Sequence, residues 1–331
     1  MADTETKKQH YVPQFYLRRF TDEDGKLHPL DLKNKRLSNP KPTSGIGYKH
    51  YYYAGRTGEP DEVSQQVESW LNQFEDAIAK ELPVIIKKIV DYQYLDDTDK
   101  YILSVFMSLM WLRSPAMREQ IQSYEKQAAK VMINWFDRET INKYLKDTGK
   151  VMTEKEKDDL LEFMRSDNWD LRVSNAQHLK FMTTHLGFGG PGFANMFYGM
   201  KWKIYIAKGN EQFITSDSPI VEWWLPPKTF YGPTFLDRNK YFALTPEILI
   251  QLTYPMGSTK IKREALFSAQ DKVVRLFNIL IASHAIEFAY GSNREVMQKM
   301  LDGSLHPGLL EREYYEKYEK PWSDARRQGR A

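Results

Sequence analysis

A chain of 331 residues is long enough to bury a sizeable core in one large domain or two modest ones, and its 41% hydrophobic and 14% aromatic content exclude a disordered chain. Its 47 basic and 44 acidic side chains leave a net charge of +3, which excludes a global attraction to nucleic acid or membrane and confines any polyanion site to a local patch. The absence of cysteine excludes disulfides, thiolate metal sites and a cysteine nucleophile, and suits a reducing cytoplasm.

The first eight residues have no apolar signal-peptide core, and no window reaches the roughly 20 apolar residues that a bilayer span requires. The expectation is a cytoplasmic protein with no membrane partner. The run His10-Tyr11-Val12-Pro13-Gln14-Phe15-Tyr16-Leu17-Arg18-Arg19-Phe20 follows, too rich in aromatics for a solvated arm. Residues 21–60 are punctuated by glycine and proline, with short apolar pieces at Lys26–Leu32 and Tyr48–Tyr53, a pattern of turns and short extended segments. From Asp61 the period becomes helical: Val63, Val67, Trp70, Leu71, Phe74 and Ile78 share a face, and Pro83 marks a boundary or kink. A second helix over roughly Asp99–Glu119 is apolar nearly all round and is expected to be central. Further helices are expected over about 119–147, 154–166 and 171–186, with Thr153-x-x-Glu156 in capping-box form.

Beyond the hinge Gly187–Gly192 the chain turns β-like at Trp202–Ala207, Gln212–Thr215, Pro219–Trp224 and Ile248–Thr253. Helical spacing returns over about 270–288 and 293–302. These elements predict an α+β fold, a helical layer from the middle of the chain packed on a mostly antiparallel sheet from the second half. One domain is expected over 1–310: a motif-bearing arm (1–60), the helical layer (61–190), then sheet and final helices (200–303), followed by a charged tail (311–331).

The His10-Tyr11-Val12-Pro13 run, Val67-Glu68, Arg113-Ser114-Pro115, Ser216-Asp217-Ser218-Pro219 and Leu244-Thr245-Pro246 together resemble a mainly bacterial family of unknown function with an N-terminal His-Tyr-Val-Pro motif. The family's last motif carries serine where this chain has Thr245. The resemblance spans about residues 8–290 and implies an architecture but no chemistry.

The charged motif residues frame the functional question. Arg113 falls on the apolar side of a helix expected to be buried, and a guanidinium cannot shed its charge there. It must find a structural carboxylate or an anionic ligand, or else reach solvent. Glu68 and Glu75 are seven apart on the preceding helix, about 10 Å along its axis, too far to share one metal unaided. Either they pair with arginine or lysine, or they act as acid and base along a substrate. Asp217 sits among Ser216 and Ser218 at a strand end, either as a turn cap or as the group orienting His10, with Gln14 as a second candidate partner. The seven histidines show no His-x-x-x-His pair, and neither a Walker loop nor a Gly-x-Ser-x-Gly elbow occurs. No metal or other cofactor is therefore expected.

Tyr16, Arg18, Arg19 and the Tyr48–Tyr53 run could offer stacking faces beside cations for RNA. The leading expectation is a metal-independent hydrolase or phosphodiester-cleaving enzyme acting on a nucleotide or RNA. His10 would be its acid or base, Asp217 would orient it and Arg113 would neutralise an anion, with Gln14, Ser216, Ser218, Glu68 and Glu75 in support. The alternative is a non-catalytic binding or sensor protein, in bacterial conflict or stress responses, whose motif residues form a structural network. The sequence names no protein partner.

Overall fold

The computed structural model describes residues 6–55, 62–166, 168–169, 174–185, 192–223, 239–253 and 264–302. The N-terminal part supplies β1 (Lys8–His10), α1 (Gln14–Leu17), β2 (Lys26–Asp31), β3 (Arg36–Leu37), β4 (Lys41–Pro42) and β5 (Tyr48–His50). The helical layer follows as α2 (Glu62–Val90), α3 (Asp97–Leu112), α4 (Pro115–Ile133), α5 (Arg138–Thr148), α6 (Glu154–Arg165), α7 (Asn175–His185) and α8 (Phe193–Gly199). The second half contributes β6 (Lys201–Ala207), β7 (Thr215–Ser216), β8 (Ile220–Trp223), β9 (Asn239–Thr245), β10 (Ile248–Thr253), β11 (Ala265–Ala269), α9 (Asp271–His284), β12 (Phe288–Gly291) and α10 (Arg294–Asp302).

The fold is α+β, as the switch of hydrophobic period predicts. A five-stranded sheet runs β11-β6-β10-β9-β8, antiparallel except for the parallel β11–β6 pair. A second sheet runs β3-β2-β12-β7, with β4 on β2, and β1 pairs with β5. The N-terminal part thus furnishes strands of its own rather than merely lying against a sheet made elsewhere. All of β9 is buried, a strand beyond those expected, although its Lys240-Tyr241-Phe242-Ala243-Leu244 run carries the signal of one.

Several boundaries differ from expectation for local reasons. Helix α2 runs through Pro83 to Val90, because Leu82, Ile85 and Ile89 are buried and their packing outweighs one lost backbone hydrogen bond. The expected helix Asp99–Glu119 is two helices. Pro115 disfavours helical geometry at Ser114, so α3 ends at Leu112 and α4 restarts with Ser114 accepting from the Met117 N–H. The expected helix 119–147 is likewise divided, by an Asp137 cap at the start of α5. The expected helix 270–288 stops at His284 and gives way to β12. The Thr153–Glu156 capping box forms as predicted. The Gly187–Gly192 hinge, apart from Gly192, and the 311–331 tail lie outside the described residues.

The N-terminal run is packed into the core, and Tyr16 shows how. Its ring stacks on Phe242 of β9 and meets Phe106 of α3 edge-on, with centroids 5.3 and 5.9 Å away. Its hydroxyl donates to the Ala243 carbonyl and accepts from Thr215, each at 2.7 Å. One buried cluster joins Tyr11, Val12, Tyr16, Leu17 and Phe20 to both sheets and to α2, α3, α8, α9 and α10. A smaller cluster around Ile141, Leu145 and Leu161 joins α5 to α6.

Candidate functional site

Arg113 lies in the elbow between α3 and α4, held there by Pro115 and 1% exposed in its side chain. Its Nη1 donates to Glu75 Oε1 of α2 at 2.7 Å, so two helices are pinned by one ion pair. Burial pushes the Arg113 pKa down, but the Glu75 charge and hydrogen bond, together with Tyr53 and Glu68, more than offset this and hold it above its ordinary value. The guanidinium has further capacity. Nε and Nη2 are buried and have no hydrogen-bond partner among the described residues.

Two proton-carrying groups feel this cation. Glu68, on α2 and 9% exposed, is pushed up to about 7, by burial first; Arg113 opposes that shift and Glu75 adds to it. His10, at the end of β1, is pushed down to about 4 by burial, then by the Arg113 charge and by Lys8. Its Nε2 is buried and also lacks a hydrogen-bond partner among the described residues. At neutral pH the imidazole is uncharged and the Glu68 carboxyl is close to half-protonated.

A tyrosine pair fixes the backbone of this cluster. Tyr52 donates its hydroxyl to the Arg113 carbonyl and Tyr53 donates to the His10 carbonyl, both at 3.0 Å. The Tyr53 N–H in turn donates to Gln9 Oε1 at 2.8 Å. Arg118 of α4 lies over the Tyr52 ring at 3.5 Å and donates from Nη2 to the Tyr52 carbonyl at 2.6 Å. Its Nε meets His178 Nδ1 at 3.3 Å, while His178 Nε2 meets the Leu112 carbonyl at 2.7 Å. An arginine can only donate and a carbonyl can only accept, so His178 is neutral with its proton on Nε2. Burial, followed by the Arg118 charge, pushes its pKa down to about 3 in agreement.

The expected pairing of Asp217 with His10 and Gln14 does not form. Asp217 Oδ1 accepts from the Ile286 N–H at 2.9 Å, and Oδ2 accepts from Glu287 at 2.6 Å and Phe288 at 2.9 Å. Those amides cannot also extend α9, which is why the helix ends at His284. Burial holds the Asp217 pKa above its usual value, against the three backbone bonds that lower it. Gln14 Oε1 accepts instead from Thr43 at 3.3 Å. Ser216 accepts from the Ser218 N–H at 3.1 Å, and Ser218 from the Ala116 N–H at 3.3 Å. The structure thus pairs Glu75 with Arg113, leaves His10 and Glu68 under the influence of its charge, and commits Asp217, Ser216 and Ser218 to backbone support.

The aromatic set expected for RNA is divided by burial. Tyr16, Tyr52 and Tyr53 are buried because their rings pack and their hydroxyls find partners inside the protein, whereas Tyr48 and Tyr51 are half-buried. Of that set, Arg18, Lys49 and His50 are exposed. Tyr52, Tyr53, Arg118 and His178 are site supports whose roles the sequence reading missed; the Tyr51-Tyr52-Tyr53 run was the one available signal. Among the described residues, no three histidine, aspartate or glutamate side chains converge in a way that could hold a metal ion, and no helix is long and apolar enough to cross a membrane.

An α+β fold opening on a half-buried histidine-bearing strand, with a buried Arg-Ser-Pro elbow and a Ser-Asp-x-Pro strand end, characterises this chain. Residues 8–295 match the family described as Protein of unknown function (DUF4238), and the chain belongs to that family. No curated protein and no solved structure matches the chain.

Proposed function

We propose that the protein is a hydrolase that cleaves a phosphoester bond in a nucleotide or RNA by acid–base chemistry at the Arg113 cluster, with no step that calls on a metal. The observation that carries this reading is the opposed tuning of two proton carriers that sense one guanidinium: the buried Glu68 raised to about 7 and the half-buried His10 lowered to about 4. Environments that drive two titratable groups apart divide acid from base. Glu68 would deliver its proton to the leaving oxygen. His10 would accept a proton from the attacking water at Nε2, and Arg113 would offset the charge that builds on the phosphoryl oxygens. An anion on Arg113 cancels part of the field that depresses His10, so its basicity would rise on substrate binding.

A second reading has its own support. Glu75, Gln14, Ser216, Asp217 and Ser218 all have partners within the protein, the pattern of a structural network serving a binding or sensor protein. Incubation with RNA, tRNA and nucleotides in the presence of chelator separates the two. The hydrolase reading expects product formation that is lost in His10→Ala and Glu68→Gln. Unchanged product in both variants, or no product from any substrate, contradicts it.

A further inference from the structure

The donors left over on Arg113 define a shape as well as a charge. Nη1 is spent on Glu75, whereas Nε and Nη2 share the other edge of the planar guanidinium and point two parallel N–H bonds the same way. A buried edge of this kind matches two oxygens of one oxyanion. Two further groups sense the same cation: His10, whose Nε2 is buried and without a partner among the described residues, and the Glu68 carboxyl, which in its protonated form is a donor. A carboxylate has both its oxygens engaged by the guanidinium edge and lies in one plane. A phosphoryl group has oxygens directed out of that plane, toward donors on other elements. The polar groups here come from three separate places: the donors on α2 and the α3–α4 elbow, and on β1 the neutral His10 Nε2, an acceptor for a phosphoryl hydroxyl or the attacking water.

We infer that this site binds a terminal phosphoryl group, gripped in bidentate fashion by the Nε and Nη2 edge of Arg113, with His10 and Glu68 facing its remaining oxygens. The inference deepens the hydrolase reading and rests on it for the choice of substrate class. The terminal phosphoryl could belong to a free nucleotide or to an RNA end, and both would present the same chemistry to Arg113.

Inorganic phosphate is the probe that isolates it. Arginine Nε–H resonances of the full chain are followed by proton–nitrogen correlation during titration with phosphate, and separately with acetate. Arg113 is identified as the slowly exchanging Nε–H that disappears in Arg113→Lys. Should that variant not fold, the slow exchange of a buried guanidinium identifies the resonance in the unaltered protein. The expected result is a saturable shift of this resonance with phosphate, at least tenfold weaker with acetate. Equal or tighter acetate binding overturns the inference, as does an Arg113 resonance that phosphate leaves unmoved. Tighter binding of a nucleoside 5′-monophosphate than of a 5′-phosphorylated oligoribonucleotide identifies the nucleotide as the source, and the reverse order identifies the RNA end; either order supports a phosphoryl site. Phosphate binding without turnover of any substrate would defeat the hydrolase reading while leaving this one standing. Turnover with no phosphate contact at Arg113 would do the opposite.

Discussion

At the scale of single residues, the cluster around Arg113 makes opposing demands on pH. Glu68 titrates higher in the folded chain, at about 7 against an ordinary 4.5, so the stability from its extra bound proton is complete below 4.5 and is lost as pH rises through 7. His10 titrates lower, at about 4 against 6.5, so its contribution is present above 6.5 and is lost as pH falls through 4. Gln at position 68 keeps the neutral shape at every pH. The melting temperature of Glu68→Gln should therefore match the unaltered protein at pH 4, exceed it increasingly from pH 5 to 7 and hold a level difference above about pH 8; a constant difference from pH 4 to 8 would show that Glu68 does not titrate there. Glu75 makes a different prediction. Its removal leaves a fully buried guanidinium with no carboxylate bonded to it, so Glu75→Ala should cost about 3–5 kcal/mol in urea unfolding. A loss under about 1 kcal/mol, the range of a surface pair, would mean that Arg113 is solvated after all.

At the scale of elements, the α3–α4 elbow and the N-terminal run are the parts on which the site hangs. Tyr16 ties α1 to α3, β7 and β9 through one ring and one hydroxyl. Tyr16→Phe keeps the ring but strands the Ala243 carbonyl and Thr215 hydroxyl, and should cost about 1–3 kcal/mol in denaturant unfolding. A neutral result would mean that both groups find other partners. The same contact shows what sequence could reveal. The density of aromatics in residues 10–20 foretold burial, and the helical period of residues 63–78 placed α2, because both signals are local. The Arg113–Glu75 pair was within reach as one of several carboxylate choices, since both residues lie on neighbouring apolar helices. The partners of Asp217 were not. They are main-chain amides 69 to 71 residues away, which have no side-chain signature in the sequence. Strands β7 and β12, two and four residues long, are likewise too short to carry a period of their own.

At the scale of the whole molecule, the buried core joins the N-terminal run to both sheets and most of the helical layer, so the Arg113 cluster draws on β1, α2 and the elbow at once. Asp217 serves this assembly differently, by fastening the segment after α9 to the end of β7. Asp217→Asn should lower stability through the weakened acceptor while leaving the electrostatics at His10 nearly unchanged. The account's central claim is that His10 belongs to Arg113 and not to Asp217. Titration of the His10 imidazole by NMR, in the unaltered protein, in Asp217→Asn and in Arg113→Met, tests this most directly. The prediction is a midpoint near 4 in the first two and a partial rise in the third, where burial still holds the midpoint below 6.5. A midpoint near 6.5 in the unaltered protein, or one that moves with Asp217 and not with Arg113, would contradict the account.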